Sequence, residues 1–522
     1  MPSCKNCQTT FTIYPEDQKF YGRIGVPEPT LCPDCRQQRR WAYKNDMTLY
    51  QRPCDLCGKS MISMYDPACP DKYKVYCQDC WFSDKWGGEN FAQKYDFSRP
   101  FFSQFKDLQL KVPRQTLINN NAVNSEYCNF ADFTKNSYLI TMCNYNEDCY
   151  YGIWLVENKD CVDTAYCRKC EFCYELIDGI NCYEVFHSQL CGDCSHSQYL
   201  FDCRNCHDCF GCVGLRNQDH CLFNKKYPEE EYKSKIKGLT TEVIEQEFNK
   251  LKLQQIRRNL AGQHNHSATG DHLFNCDNVR QSFDVQEAKD CAYCYDGLRT
   301  KDGYDIAGFD TMELGYECIS AGWGNAYFFS YYCRTSHNIW YSDSCHSCSD
   351  CFGCIGLRHK QYCILNKQYS EAEYNKLKAE IIKQMTAAGE FGESYPIANS
   401  PFAYNEPLVF DYYPLSREAV LQKGWRWQEE KVKKVNPELP VCSVCGKNFK
   451  IIDQEKKFYQ KMNLSDPKKC FKCRHQARLL LRNPRRLYQR KCAKCGAEIE
   501  TTYAPERPEK VYCEECYRKE IY

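Results

Sequence analysis

The chain has 522 residues, of which 26% are charged and 43% hydrophobic, so wholesale disorder is excluded and several domains are expected. The formal net charge of +1 conceals an asymmetry: residues 441–522 hold 20 basic and 10 acidic residues, whereas residues 95–440 hold 36 and 47. No stretch approaches 18 uninterrupted apolar residues and no signal-like segment opens the sequence, which favours a cytoplasmic, reduced protein without a membrane span.

Sixteen of the 42 cysteines form eight Cys-x2-Cys pairs at the two ends of the chain. Two such turns facing each other supply the four tetrahedral thiolates that zinc needs, and eight turns favour zinc over an iron–sulfur cluster or redox pairs. The pairs predict four structural Zn²⁺ ions, with no position left for a catalytic water. Whether consecutive or alternate pairs share a metal stays open. The predicted ligands are Cys4, Cys7, Cys32, Cys35, Cys54, Cys57, Cys77, Cys80, Cys442, Cys445, Cys470, Cys473, Cys492, Cys495, Cys513 and Cys516.

The two ends are copies of one another, with an offset of 438 through the first three pairs. The first half of each copy reads Cys-x2-Cys, Phe, an acidic residue ahead of Phe-Tyr, then Cys-x2-Cys-Arg, with Arg36 and Arg474 at the end. This pattern resembles the probable zinc-ribbon domain family. In each copy the second pair runs into a basic, helix-favouring stretch, so a treble-clef-like geometry is expected.

Between the ends lies a repeat of another kind. Residues 124–224 divide into short segments that recur at intervals of 11 or 12, many opening with Asn or Asp before Cys and containing short aromatic and β-branched runs. Such spacing predicts a parallel β-helix with cysteines and aromatics as inward ladders and Asn or Asp at the corners. A second block follows at an offset of 142. One coil could hold a single such segment or two of them, about 24 residues, and both sizes remain possible.

The 25 cysteines between Cys128 and Cys363 are interpreted first as small apolar side chains inside the coils. Disulfides and metal binding are the alternatives. The metal alternative concerns two dense runs, Cys203, Cys206, Cys209 and Cys212, and Cys345, Cys348, Cys351 and Cys354.

The predicted fold class is mainly β: a parallel β-helix in two duplicated blocks with flanking helices, and small α+β zinc-ribbon or treble-clef modules at both termini. Helices are expected near 228–260 and 370–387, the second opened by a capping box. The predicted segments are 1–94, a double zinc-ribbon module; 95–227, solenoid block 1; 228–266, a helical insert; 267–369, solenoid block 2; 370–440, helix and linker; and 441–522, the second double zinc-ribbon module.

The whole layout resembles cysteine-rich zinc-ribbon proteins of uncultured bacterial lineages, some of which carry a coenzyme A transferase label. Nothing in this sequence supports that label, because neither α/β alternation nor a phosphate-cradling glycine loop is present. The resemblance therefore implies an architecture and no activity.

Three functions compete, and the basic C-terminal end favours a non-enzymatic scaffold that binds nucleic acid, RNA or a ribonucleoprotein, through the module helices. The alternative is a protein–protein adaptor without nucleic acid, whose arginines pair with the acidic middle of their own chain. A carbohydrate-acting β-helix enzyme comes third, with Asp305, Asp310 and Glu313 as groove candidates; no small-molecule substrate is indicated. The predicted nucleic-acid contacts are Arg36, Arg39, Arg40, Trp41, Arg474, Arg478, Arg482, Arg485, Arg486 and Arg490.

Overall fold

The computed structural model describes residues 1–319, 322–429 and 436–521, and it confirms the mainly β fold class. The chain is mostly β, with a β-solenoid of about 19 turns, few helices and a treble-clef-like module at each terminus. The chain forms two compact units, Met1–Leu117 with Gly262–Glu429, and Ile118–Ala261 with Glu430–Tyr522. Each zinc module therefore shares a unit with the solenoid block that is farther from it in sequence.

The solenoid coil has the shorter of the two predicted repeats. Parallel pairing joins positions 12 apart, such as Asn129 with Thr141 in the first block and His337 with Ser349 in the second. Backbone N–H groups donate to carbonyls of the neighbouring coils, forward as from Asn129 to Ile140 and backward as from Tyr145 to Asp132. Stacking thus satisfies the peptide groups that a single coil leaves open.

The coil turns at every third residue, where the backbone takes a positive φ. Asp160, Asp163, Tyr166 and Lys169 follow one another at φ values of 49°, 55°, 55° and 53°. Asn and Asp adopt this conformation more readily than other side chains, which explains the predicted Asn or Asp before Cys. Tyrosine and lysine also occupy corners here, because the ladders on both sides of each turn fix the backbone.

The side chain after each corner points into the coil, as Leu155, Asn158 and Cys161 do. All 25 solenoid cysteines are buried in this way, and the Cys161 thiol donates to the Cys170 carbonyl at 3.4 Å. The interior is too narrow for most rings, so the prediction of inward aromatic ladders is wrong. Tyr327 is the one aromatic residue in the two interior clusters of the described chain, and the other rings lie outside the coils.

The burial of these thiols supports the packing interpretation. In the described part of the chain, no three solenoid sulfur atoms lie within 4.8 Å of one another, and no two cysteines form a disulfide. The two dense cysteine runs are therefore continuous with the rest of the core and not separate metal clusters.

The first solenoid block begins later than the predicted residue 95. Residues Phe101–Lys111 form a helix that buries Phe105 and Leu108 within the unit of the N-terminal module. Their spacing of three residues places them on one helical face, a period of 3.6 that the aromatic content of this stretch obscures. The capping box at the start of Glu371–Ala387 is confirmed, and residues 430–435 of the predicted linker lie outside the described residues.

The remaining bounds are as follows. The helices of the zinc modules are Pro15–Ile24, Pro33–Trp41, Gln78–Trp81, Asp453–Lys461, Phe471–Leu480 and Glu514–Ile521, and their strands are Tyr50–Pro53, Ser60–Ser63, Val75–Tyr76, Tyr488–Lys491, Glu498–Thr501 and Val511–Tyr512. The strands of the first block are Asn129–Asp132, Thr141–Asn144, Ile153–Val156, Ala165–Arg168, Tyr174–Ile177, Tyr183–Gln189, Ser195–Gln198, Cys221–Leu222 and Lys225–Lys226. Those of the second block are Gly262–Gln263, Gly270–Phe274, Asp277–Arg280, Ser282–Gln286, Lys289–Ala292, Tyr295–Tyr304, Ala307–Tyr316, Asn325–Phe328, His337–Trp340, Ser349–Phe352, Gln361–Ile364 and Lys367–Gln368. The other elements are the strands Arg114–Gln115 and Arg257–Arg258, the α-helices Glu229–Lys237, Thr241–Gln254, Val409–Tyr412 and Arg417–Gln422, and the 3-10 helices Gly88–Phe91 and Ile397–Asn399.

None of the helices in the described ranges is both long and apolar enough to cross a membrane.

Candidate metal centres and their docking surfaces

The sixteen predicted ligands form four groups of four, each made of two consecutive Cys-x2-Cys pairs. All four sulfur atoms of a group lie within 4.8 Å of one another. Tetrahedral Zn²⁺ with Zn–S bonds of about 2.3 Å places its thiolates about 3.8 Å apart, so the donor sets fit four structural zinc ions. Alternate pairing is thereby excluded. The Sγ–Sγ separations between pairs are 3.7 Å for Cys7 and Cys32, 3.9 Å for Cys57 and Cys77, and 3.8 Å for both Cys445 and Cys470, and Cys495 and Cys513.

Each site is built from a tight turn and a helix start, as the third site shows. The Cys442 N–H donates to the Lys447 carbonyl at 2.9 Å, and the chain turns through Gly446 at a φ of 69°. The second pair begins at Cys470, the N-cap of the following helix, whose own N–H donates to the Cys442 sulfur at 3.2 Å. A turn and a helix N-terminus joined through one metal are the treble-clef arrangement that the sequence predicted.

Backbone donors favour the thiolate form of the first cysteine in the two turns of the C-terminal module. Burial opposes ionisation, but N–H groups of Cys445, Cys470 and Val444 lower the pKa of Cys442 to about 6. The same balance lowers the pKa of Cys492 to about 6. The turns therefore present a ligand that binds a divalent cation without first losing a proton at neutral pH.

The helix that follows the first site of each module is its docking helix: Pro33–Trp41 in the N-terminal module and Phe471–Leu480 in the C-terminal module. In the N-terminal module, Arg36 and Arg40 contact opposite oxygens of Asp305 at 2.9 and 3.1 Å. All three side chains are at most 2% exposed. Burial opposes the charge, yet Asp305 raises the pKa of Arg36 well above its usual value, so this helix is fixed to a solenoid corner by a buried ion cluster.

The C-terminal module repeats this contact within its own unit. Arg474 and Arg478 reach Asp163 at 2.9 and 2.6 Å, and these side chains too are nearly inaccessible. The arginines correspond to Arg36 and Arg40 at the offset of 438, while Asp163 corresponds to Asp305 at the offset of 142. Both partners of the ion cluster are thus duplicated together.

A second pair of contacts follows the same two offsets. The Tyr293 hydroxyl donates to Asp17 at 2.9 Å in one unit, and the Tyr151 hydroxyl donates to Glu455 at 2.7 Å in the other. Sequence reasoning noted the acidic residue of the module pattern but gave it no partner. Comparing the two solenoid copies for carboxylates and tyrosines present in both would have identified these contacts.

The arginines proposed as nucleic-acid contacts are mostly engaged inside their own units. Arg39 pairs with Glu317 and Glu393, and Arg482 with Asp178. Trp41 is 1% exposed. Of the ten predicted contacts only Arg486 is exposed, so the structure does not bring them together on a surface that a phosphate backbone could reach. The remaining two arginines are partly buried, Arg485 donating to the Tyr166 hydroxyl and Arg490 to the carbonyls of Ala504 and Glu509.

The two described candidate carboxylates of a carbohydrate-cleaving groove, Asp305 and Glu313, are both engaged in ion pairs. Asp305 forms the buried ion pairs with Arg36 and Arg40. Glu313 pairs with Lys301 at the surface, at 2.9 Å. The Asp310 side chain lies outside the described residues. A carboxylate buried between two arginines has a structural role. The prediction of Asp305 as a groove residue is therefore wrong, and Asp305 is a docking residue.

The exposed positive charge of residues 441–482 lies on lysines, which the sequence did not lead us to predict as contacts. Residues 441–482 hold eight lysines, whereas the equivalent residues 3–44 hold three. All eight are exposed, and Lys461 lies over the Phe172 ring, 3.9 Å from its centroid. Apart from Lys447 and Lys461, the other six lie more than 4.0 Å from any described carboxylate that would form an ion pair. We call this set the lysine face; it comprises Lys450, Lys456, Lys457, Lys468, Lys469 and Lys472.

Comparison with known proteins agrees with this geometry at one end of the chain. Residues 2–43 match the family model described as "Probable treble clef domain". That range contains the first Cys4 site and its docking helix. No curated protein matches the chain.

Proposed function

We propose that the protein is a non-enzymatic, zinc-organised scaffold that binds nucleic acid, preferentially RNA, through the lysine face of its C-terminal module. The lysine face carries this proposal. Because its six ammonium groups are exposed and unpaired with described carboxylates, they are available to replace the counterions of a phosphate backbone.

The equivalent surface of the N-terminal module lacks this charge. Five of the six lysines correspond to uncharged or acidic residues, and only Lys457 has a lysine counterpart, Lys19. Since the docking residues are the same in both copies, the lysines are not needed to hold a module in place. The replaced positions are Thr12, Gln18, Thr30, Leu31 and Asp34.

The chemistry of the metal sites supports a role without catalysis. A Cys4 donor set fills the tetrahedral positions of zinc, whereas hydrolytic zinc sites keep one position for water. Zinc supplies cross-links here, and this chain's own residues supply the thiolates, the docking ion clusters and the surfaces between them.

Fluorescence anisotropy with a labelled single-stranded 20-nucleotide RNA tests the proposal. In the triple variant Lys456→Glu, Lys468→Glu and Lys472→Glu we expect affinity at 50 mM salt to fall about 10–100-fold. The slope of log K against log salt should fall by about 2, since each single-strand phosphate contact contributes about 0.7.

The matched control carries the same charge change on exposed lysines of the N-terminal module: Lys19→Glu, Lys59→Glu and Lys74→Glu. It should retain near-wild-type affinity. Equal losses in both triples, or no retention of RNA by the wild-type protein at 50 mM salt, would overturn the proposal and leave the protein adaptor as the better account.

A further inference from the structure

The two docking helices differ in what covers their C-terminal ends. Within the N-terminal module's unit, residues 388–429 form a segment that we call the strap. The Tyr43 hydroxyl donates to the Pro396 carbonyl at 2.6 Å, and the Ser400 hydroxyl donates to the Ala42 carbonyl at 2.7 Å. Under the strap, Ala42 and Tyr43 are 1% and 3% exposed.

The equivalent residues of the C-terminal module have exposed side chains, although the Leu481 carbonyl accepts a hydrogen bond from Gln189 at 3.0 Å. Leu480 and Leu481, which correspond to Ala42 and Tyr43, are 85% and 54% exposed, and no described segment covers them. Two adjacent, largely exposed leucines at a helix end leave apolar surface in water, which is unfavourable, and a partner that covered them would remove this surface from water. Since the helix is otherwise docked in the same way, the duplicated chain itself shows what kind of segment fits this place.

The strap contacts its helix through a carboxylate and tyrosines. Glu393 accepts from Thr30 at 2.5 Å and from Arg39 at 2.7 Å. The Tyr404 hydroxyl accepts from Gln38 at 2.7 Å. The Tyr412 ring packs on Trp41, with 4.5 Å between the ring centroids.

The C-terminal module keeps one of these three donors and replaces a second, and it lacks the third because Ala477 stands at the position of Arg39. Gln476 stands at the position of Gln38 and is exposed, so it can donate to a hydroxyl in the same way. Lys468 stands at the position of Thr30, where a carboxylate would now meet an ammonium group. Leu479 takes the place of Trp41 as the apolar surface for a ring.

We propose that residues 476–481, with Lys468 beside them, form a docking site for a segment of a partner protein that carries tyrosines and a carboxylate. The site shares Lys468 with the lysine face, but its central residues Leu480 and Leu481 are apolar and belong to the docking site alone. On this proposal the C-terminal module binds the partner, whereas in the N-terminal module the equivalent surface is already covered by the strap.

The probe is a fluorescein-labelled synthetic peptide of residues 390–413, which holds Glu393, Tyr404 and Tyr412. We expect it to bind the intact, zinc-loaded full-length protein saturably, as measured by anisotropy. The double variant Leu480→Ser and Leu481→Ser should bind at least about tenfold more weakly. The matched control, Leu253→Ser with Leu421→Ser, changes two exposed leucines elsewhere and should bind like the wild type.

Further readouts keep the outcome decisive. Zinc content, thermal unfolding and RNA affinity of the Leu480–Leu481 variant should equal those of the wild type, which shows that the variant folds and that RNA binding is separate. A peptide with Tyr404→Ala and Glu393→Gln should bind more weakly. Absent or unsaturable binding, or binding that the leucine variant does not weaken, would overturn the proposal. A wild-type dimer in sedimentation that the leucine variant abolishes would also overturn it, since the occupant would then be a second copy.

Discussion

The two zinc modules share their inner surface and differ on their outer surface. Both use the same cysteine pairs, and both place two arginines on one buried aspartate of a solenoid corner. Outside, the N-terminal module is covered by the strap, whereas the C-terminal module exposes lysines and two leucines. Duplicated contacts thus identify what holds the molecule together, and the divergent surface identifies where recognition takes place.

The shared contact also shows why arginine serves for docking. A buried carboxylate loses its hydration and needs several donors in return, and two guanidinium groups supply them in fixed planes. Breaking such a cluster by removing one member leaves an uncompensated buried charge, which costs more than the net value of the pair. The two arginines of each cluster are therefore committed to their own unit, and the exposed cations of residues 441–482 are lysines.

Removing zinc should have the largest effect and should act on both modules alike. Structural Cys4 sites contribute about 10–16 kcal/mol of binding free energy each, and this energy is folding energy. Native mass spectrometry should find four zinc ions per chain. After chelation, limited trypsin digestion should cut within the modules first while the coils, whose core is their own thiol ladder, stay protected. Fewer than four zinc ions, or coils cut as fast as modules, would contradict the account.

Removing the docking aspartate comes second and should destabilise both units. Asp305→Ala leaves Arg36 and Arg40 without their carboxylate, so it should lower the free energy of unfolding by about 3–5 kcal/mol. Asp163→Ala leaves Arg478 without its carboxylate, whereas Arg474 keeps its ion pair with Glu455 at 3.0 Å, so its cost should lie at the lower end of that range. Urea unfolding followed by tyrosine and tryptophan fluorescence measures this. Asp302→Ala removes a half-exposed pair with Arg23 and should cost about 1 kcal/mol or less. Equal costs at Asp302 and Asp305 would show that burial of the cluster contributes nothing.

Truncating equivalent residues should affect the two modules differently, because Tyr43 is covered by the strap and Leu481 is exposed. Tyr43→Ala removes a buried ring that lies 4.9 Å from the Tyr331 ring, and should cost about 3–5 kcal/mol. Leu481→Ala changes an exposed side chain and should alter stability by about 0.5 kcal/mol or less. Thermal unfolding by calorimetry compares them, and similar losses in both variants would mean that Leu481 is covered in solution.

The zinc sites and the coil repeat were predictable because spacing alone determines them. Cys-x2-Cys turns carry their own geometry, and stacking in a solenoid requires like residues at a fixed interval. The position of the aromatic rings was not predictable in this way, because the repeat does not say which of the two residues between corners points inward. That depends on the width of the coil, and a coil this narrow accepts Cys161 or Leu155 and excludes Tyr166.

The role of the basic helices was harder to predict, since an arginine run is typical of both phosphate binding and ion-pair docking. Arg474 and Arg478 belong to the second case because Asp163 is far away in sequence and is brought to them by tertiary structure. Only the joint recurrence of arginine and aspartate in both copies separates the two cases. The lysine face could not be predicted from the net charge of residues 441–522, because net charge does not distinguish buried from exposed residues.

A double-mutant cycle on Arg478 and Asp163 tests the central claim most directly. The single variants Arg478→Met and Asp163→Leu, and the double variant, are compared with the wild type by urea unfolding. If the docking cluster is a structural contact, each single variant is strongly destabilised, the double variant is less so than their sum, and the coupling energy is about 2 kcal/mol or more. A coupling energy near zero, with RNA affinity lost in Arg478→Met while stability is kept, would contradict the account and return the arginines to nucleic-acid recognition.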